Sequence, residues 1–174
     1  MREQASARGM TRRELLASGT SFGAALVVGS GFVLHPGESW AMDLKALKPE
    51  TMATLVVMAR DIYPHDRLGD KYYAQAMKAH DNEDQAEMIE TGVAGLDTLA
   101  QGTGASGYAA MGWEDHRVAL LREVESSAFF QAVRGGMMTG LYNNPEVWPL
   151  FGYEGESYSQ GGYIDRGFND IDWL

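Results

Sequence analysis

PETMATLVVMARDIYP, residues 49–64, is the stretch of this chain that decides its fold. Pro49 suits the first position of a helix, because its fixed φ is helical and its missing N–H is not needed there. The apolar residues that follow are spaced by three and four, and they are Met52, Leu55, Val56, Ala59 and Ile62. This spacing predicts one amphipathic helix, which ends at Tyr63-Pro64 because the residue before a proline disfavours helical backbone.

The same spacing predicts two more helices downstream. One begins after Asp70 and places Tyr73, Ala76, Met77 and His80 on one face. The next follows the polar cluster 81–84, which supplies a cap and acidic residues for the positive end of the helix dipole. Its apolar stripe consists of Ala86, Ile89, Val93, Leu96 and Ala100. Gly92 and Gly95 lie inside this helix and cost about 1 kcal/mol each relative to alanine, so we expect close helix packing at these positions.

Two further helices follow a glycine-rich break. Glu114 and Asp115 open the fourth helix, and Ser127 is the expected cap of the fifth. Their apolar positions are Val118, Leu120, Leu121, Val124 and Ala128 in the fourth, and Phe129, Phe130, Val133, Met137 and Leu141 in the fifth. No alternating run of polar and apolar residues is long enough for a sheet. The sequence therefore predicts an all-α fold, a small bundle of about five helices over residues 42–141.

The N-terminal 41 residues have the features of an export signal of the twin-arginine type. The residues that carry the signal are Thr11, Arg12, Arg13, Leu15 and Leu16, whereas Ala17 replaces the usual lysine. A weakly apolar run then extends to Leu34, and Ser39-Trp40-Ala41 offers small residues for a cut after Ala41. We expect export through the twin-arginine translocase to the periplasm. The alternative is a retained membrane anchor, since Leu15 to Leu34 is long enough to cross a bilayer although its glycines and serines dilute its hydrophobicity.

The C-terminal segment, residues 142–174, has a different character. It interleaves glycines with aromatic residues, namely Tyr142, Trp148, Phe151, Tyr153, Tyr158, Tyr163, Phe168 and Trp173, and no helical or strand period fits them. Ordering such a glycine-rich segment is entropically costly, yet leaving its aromatic rings in water is also unfavourable. Two interpretations stay open: an irregular coat over the bundle, or an arm that lies on another protein.

Composition and motifs exclude several classes of function. The net charge of −10 argues against nucleic acid as a partner, and the absence of cysteine excludes disulfides, thiolate metal sites and a cysteine nucleophile. The run Gly102–Gly107 matches G-x-G-x-x-G, but it follows a helix rather than a strand, so we interpret it as a loop. Glu123 and Glu125 are the general-base candidates, and with Arg117 and Arg122 they are expected to form a polar helix face.

Metal ligation is not predicted either. The histidines are His35, His65, His80 and His116, and no two of them have the i, i+4 spacing of a helical metal site. The last three have acidic neighbours, which is expected of solvated helix ends. We therefore predict no catalytic, cofactor-binding or metal-ligating residue in this chain.

Several of these segments together resemble the gluconate 2-dehydrogenase subunit 3 family, which comprises small subunits of flavoprotein dehydrogenase complexes with a twin-arginine signal. The resemblance rests on the signal, on the segment 61–66 (DIYPHD) and on Phe129-Phe130 with Arg134. It continues with the segment 140–145 (GLYNNP), which is followed by Trp148, Gly152-Tyr153 and Gly155. The chain departs from the family pattern at Glu154, where proline is common, and in the short spacing between Pro145 and Trp148.

The resemblance implies a non-catalytic accessory subunit. Its partner would be a catalytic subunit of the glucose-methanol-choline oxidoreductase type, which holds FAD and oxidises a sugar or related alcohol, with electrons passing to a haem subunit or another acceptor. The small subunit would assist folding of this partner and carry it through the membrane. Together with the arm interpretation, the resemblance assigns partner contact to Phe129, Phe130, Tyr142, Asn143, Pro145, Trp148, Phe151, Tyr153 and Trp173.

Two alternative functions remain open from the sequence. One is a stand-alone periplasmic helical protein that binds a metal or small ligand through histidine and carboxylate groups. The other is an independent hydrolase that uses the region of Glu123 and Glu125.

Overall fold

The structure is a computed structural model that describes residues 26–27, 32–34, 41–165 and 168. Its helices are α1 Pro49–Ile62, α2 Asp70–Met77, α3 Glu83–Gly102, α4 Glu114–Val124 and α5 Ala128–Tyr142. Short 3-10 helices lie at Lys78–His80, Tyr108–Ala110, Trp148–Phe151 and Tyr158–Gln160. The predicted all-α bundle is confirmed. Two positions differ from the prediction: His80 lies in the 3-10 helix that follows α2 rather than on α2, and Ala128 begins α5 rather than extending α4.

A small antiparallel sheet precedes the bundle, and the pattern of the sequence does not predict it. Its strands are β1 Leu26–Val27, β2 Phe32–Leu34 and β3 Ala41–Asp43, in the order β1-β2-β3. Val33 pairs with Met42, and Leu34 pairs with Ala41. Strands of two or three residues are too short to show the alternation on which sequence-based prediction of sheets depends.

The capping residues lie where the sequence predicts them. Asn82 precedes α3, and its Oδ1 accepts a hydrogen bond from the backbone N–H of Gln85 at 3.0 Å. Ser127 precedes α5, and its Oγ accepts from the N–H of Phe130 at 3.1 Å. Each cap satisfies a backbone donor that the helix itself leaves unpaired.

The core is formed by the apolar stripes of all five helices. α2 packs against both α1 and α5, while α3 contacts α1, α4 and α5. Tyr73 and Tyr108 are fully buried in this core. Among the described residues, no helix has the length and hydropathy that crossing a bilayer requires.

Glycines set how closely some of these helices approach. A methyl group on Gly92 would lie 2.2 Å from Cγ of Phe129, so the ring of α5 packs directly on the backbone of α3. Gly140 has a similar role, because a methyl group there would lie 2.8 Å from Cα of Ala76 in α2. Gly95 faces open space. The expectation of close packing is therefore confirmed for Gly92 and wrong for Gly95.

Candidate functional site

An exposed cluster of rings lies where the end of α5 meets the loop after α1. We call it the aromatic face, and it consists of His65, Tyr142, Trp148, Phe151 and Tyr153. The ring of His65 is 5.7 Å from that of Tyr142 and 4.9 Å from that of Phe151, both edge to face. Nε2 of His65 and the hydroxyl of Tyr142 are 2.7 Å apart and share a hydrogen bond. The cluster is thus a connected surface.

Local sequence explains why the chain turns back onto this face. Asn143 ends α5, and Oδ1 of Asn144 then accepts a hydrogen bond from the N–H of Glu146 at 3.0 Å. Val147 is fully buried and fixes the start of the 3-10 helix on the bundle. Gly152 follows with φ +77, a left-handed conformation that glycine adopts without steric cost. These features place the rings of residues 148–153 beside α5.

The local environment keeps His65 and Tyr142 of the aromatic face neutral. Burial and the nearby Arg60 charge lower the pKa of His65 below 6.5. Burial and the neighbouring Tyr63 raise the pKa of Tyr142. At neutral pH the face therefore presents an uncharged imidazole and an uncharged phenol, which cost less to remove from water than ions would.

The aromatic face is accessible, and the segment after it is more so. Tyr142, Phe151 and Tyr153 are 38%, 39% and 46% exposed, respectively. Farther along the chain Tyr158 is 91% exposed and Phe168 is 80% exposed. Tyr163 and Ile164 are also exposed. Exposed rings in mutual contact, such as Tyr142 and Phe151 of the aromatic face, are typical of sites where another molecule binds.

The predicted contact residues divide into three groups. Tyr142, Asn143, Pro145, Phe151 and Tyr153 are exposed, while Trp148 and Phe130 are partly buried. Phe129 requires correction: it is only 6% exposed and packs on Gly92, so it belongs to the core. Trp173 and the export residues Arg12, Arg13, Leu15 and Leu16 lie outside the described residues. The role of Phe129 was mispredicted because an aromatic pair at a helix start does not show which ring faces inward.

A buried ionic network joins α1, α4 and the 3-10 helix at Tyr108. Nε and Nη2 of Arg117 donate to the two carboxylate oxygens of Asp61, at 2.6 and 2.7 Å. The hydroxyl of Tyr108 donates to the same carboxylate at 2.7 Å, and burial raises the pKa of Tyr108 so that this hydroxyl stays protonated. The expectation that Arg117 belongs to a solvated polar face is therefore wrong.

Spacing could have revealed the position of Arg117. It precedes Leu120 by three residues and Leu121 by four, so it shares their inward face on α4. Removing one member of such a buried pair costs about 3–5 kcal/mol, because an unpaired charge is left in the core.

An open pocket of about 190 Å³ borders this network and also contains Arg60 and Asp70. Nε of Arg60 donates to Asp70 at 2.8 Å, so the charges in the pocket are held in pairs of opposite sign. We interpret the network as structural.

A second buried polar cluster lies at the junction between α2 and α3. The carboxylate of Asp81 accepts hydrogen bonds from the backbone N–H groups of Lys45, Ala46 and Leu47, at 2.8–3.1 Å. It also accepts from Nζ of Lys78 at 2.6 Å. Burial alone would raise the pKa of Asp81, but these hydrogen bonds outweigh it and hold the pKa well below its usual range.

His80 is 4% exposed, and its Nδ1 lies 2.5 Å from Oε1 of Gln85. Its Nε2 has no hydrogen-bond partner, and it faces Gly136 of α5. The expectation that His80 and Asp81 mark a solvated helix end is therefore corrected: both are buried.

The residues singled out for catalysis or metal binding lie apart in the described part of the chain. That part contains no group of three or more His, Cys, Asp or Glu side chains that could hold a metal ion. Glu123 is exposed on α4, and Glu125 is exposed directly after it. The glycine-rich run ends α3 and forms a turn in which Gly104 has φ +92, so its interpretation as a loop is confirmed.

Comparison with protein-family models, curated proteins and solved structures finds no match to this chain. The family resemblance stated above therefore stays a prediction. The geometry of the aromatic face is the principal structural observation that bears on function.

Proposed function

We propose that this chain is a non-catalytic small subunit of an FAD-dependent dehydrogenase complex of the glucose-methanol-choline type. Its role is to assist folding of the catalytic flavoprotein and to carry it to the periplasm through the twin-arginine translocase. The partner holds FAD and oxidises a sugar or related alcohol, and a haem subunit or another acceptor takes the electrons. This chain itself holds no cofactor.

The observation that carries the proposal is the exposed aromatic surface. Phe151 and Tyr153 are exposed on the aromatic face, and Tyr158, Tyr163 and Phe168 continue this exposure along the chain. Aromatic rings held on a stable helical support are favourable anchors for a protein interface, because little side-chain entropy is lost when they are covered. The export-signal pattern at Arg12-Arg13 supports the second part of the proposal, which is transport of the complex to the periplasm.

Replacing the arginine pair tests the escort role directly. In cells that also express the flavoprotein, Arg12→Lys with Arg13→Lys is expected to leave dehydrogenase activity in the cytoplasmic fraction. Arg2→Lys with Arg8→Lys is the matched control, since it makes the same substitutions in the same N-terminal stretch but outside the pair. Activity that still reaches the periplasm with the first variant, at the level of the control, would refute the escort role.

Purification of the tagged chain from its host tests the complex. We expect a large protein to co-elute in stoichiometric amount, with the visible absorbance of a bound flavin. A chain that elutes alone, folded and without a flavoprotein, would count against the accessory role.

A further inference from the structure

A groove that shares Trp148 and Tyr153 with the aromatic face is built from rings and prolines. It is lined by Pro145, Trp148, Pro149, Gly152, Tyr153 and Glu154, and it has a volume of about 340 Å³. We call it the Trp148–Tyr153 groove. It is open to solvent, so it can receive a side chain that projects from another surface.

The two rings of the groove have a geometry suited to a cation. Their centroids are 5.3 Å apart, and their planes meet at 76°. The face of an aromatic ring carries partial negative charge, and tryptophan and tyrosine attract guanidinium and ammonium groups that lie over it. Because ring edges carry partial positive charge, a cation would be held over the face of one ring, and the second ring, set at 76° to the first, forms the neighbouring wall of the groove.

Hydrogen bonds fix this arrangement before anything binds. Nε1 of Trp148 donates to the backbone oxygen of Tyr142 at 2.8 Å, and the N–H of Tyr153 donates to the oxygen of Trp148 at 2.9 Å. Gly155, with φ +99, packs its backbone against the Trp148 ring. Nε2 of Gln160 donates to the oxygen of Glu154 at 2.6 Å and closes the loop. A preorganised site of this kind loses little entropy when a ligand binds.

The charge of the surrounding segment also favours a cation. Residues 142–174 contain six acids, Glu146, Glu154, Glu156, Asp165, Asp170 and Asp172, against a single basic residue, Arg166. The electrostatic potential near the groove therefore attracts a basic group and disfavours a carboxylate.

We propose that the Trp148–Tyr153 groove receives a basic side chain, arginine or lysine, from the surface of the partner protein. The identity of that partner rests on the proposed function. A protein is the source because Tyr142 and Phe151, 38% and 39% exposed beside the groove, would stay in water around a small free cation. An apolar protein surface around the basic residue covers these rings at the same time.

A titration of the full-length chain tests cation binding without the partner. The probe is N-acetyl-arginine methylamide, and the readout is the NMR resonance of the Trp148 indole N–H. We expect a saturable shift with this probe and none with the citrulline analogue, which has the same shape without the charge. Tyr153→Ala is expected to abolish the shift, whereas Tyr158→Ala, which removes an exposed ring outside the groove, is expected to preserve it.

Three results of this titration would overturn the proposal. Equal shifts with the arginine and citrulline probes would show that binding does not depend on the positive charge. A response that persists in Tyr153→Ala would place the binding elsewhere. Tighter binding of tetramethylammonium than of the arginine probe would assign the groove to a small ammonium ligand rather than a protein side chain.

The affinity of the complex tests the same groove with the partner present. Tyr153→Ala is expected to weaken binding of the flavoprotein roughly tenfold or more, and Tyr153→Phe, which keeps the ring, to change it less than about twofold. Equal affinity for both variants would overturn the groove proposal and leave the proposed function standing. Absence of flavoprotein binding by the unmodified chain would instead refute the proposed function, and the titration alone would then decide on the groove.

Discussion

At the scale of single residues, the structure depends on a few buried polar side chains with complete sets of partners. Asp81 is the clearest case, because its carboxylate holds residues 45–47 and Lys78 together. One side chain thereby fixes the segment that leads into α1 onto the junction of α2 and α3. A carboxylate that accepts several N–H groups is strongly favoured in its ionised form.

Asp81→Asn is expected to lower the free energy of unfolding by about 2–3 kcal/mol at pH 7, because charge-assisted hydrogen bonds are lost. The pKa of Asp81 is lower in the folded state than in the unfolded state. The ionised carboxylate therefore contributes its full stabilisation at pH values above the unfolded pKa of about 3.9, and this contribution is lost progressively as the pH falls below that value. The difference between wild type and variant should therefore shrink below about pH 4.

Urea unfolding at pH 7 and pH 3 measures this difference. Asp84→Asn is the matched control, because Asp84 is exposed in the first turn of α3, three residues after Asp81. It should change stability by about 0.5 kcal/mol or less. A difference between wild type and Asp81→Asn that is independent of pH would show that Asp81 acts through packing rather than charge.

At the scale of elements, glycines decide how α5 fits against the bundle. Phe129 occupies the space above Gly92, His80 reaches the backbone of Gly136, and α2 crosses α5 at Gly140. Each of these contacts is possible only because the glycine has no side chain. The helix propensity lost at these glycines is therefore offset by packing that alanine would prevent.

Two substitutions in α5 separate packing from propensity. Gly140→Ala gains about 1 kcal/mol of helix propensity but forces a methyl group to within 2.8 Å of Cα of Ala76, which costs about 1–3 kcal/mol. Gly135→Ala adds the same methyl group where nothing lies within 4 Å. We expect the Gly135 variant to be stabilised by about 0.5–1 kcal/mol and the Gly140 variant to be destabilised. Thermal unfolding measures both, and equal stabilisation would contradict the close approach of α2 and α5.

At the scale of the whole molecule, the bundle and the end of the chain differ in what they bury. The helices enclose a continuous core, whereas Tyr158, Tyr163 and Phe168 are largely in water. Exposed rings contribute little to folding stability but provide surface for association. The chain therefore combines a continuous helical core with exposed aromatic rings near its C-terminal end.

Replacing Tyr158, Tyr163 and Phe168 with serine is expected to change the free energy of unfolding by less than about 0.5 kcal/mol per site. It should also reduce binding of a hydrophobic dye and weaken flavoprotein binding. Tyr73→Ser is the contrasting variant, since this ring is fully buried and its loss should cost about 3 kcal/mol or more. Urea unfolding and a binding titration measure the two effects. Strong destabilisation by the triple substitution would show that these rings support the bundle.

The sequence by itself determined the helices and most of the core. Met52, Leu55 and Val56 in α1 recur at helical spacing, Pro49 and Ser127 mark helix starts, and such signals are local because they arise from one turn of backbone and its neighbours. The aromatic and glycine-rich character of the C-terminal segment was likewise visible in its composition, whereas the exposure of its rings was not.

Only the tertiary structure decided which polar residues are buried and which rings form one surface. Asp61 and Arg117 are far apart in sequence, as are His65 and Tyr142, and the crossing of helices brings each pair together. Phe129 and Phe130 are neighbours, yet Phe129 lies in the core because Gly92 on another helix leaves room for its ring. Periodicity along one helix carries no information about the partner it meets, so contacts between distant segments are settled only when the helices pack.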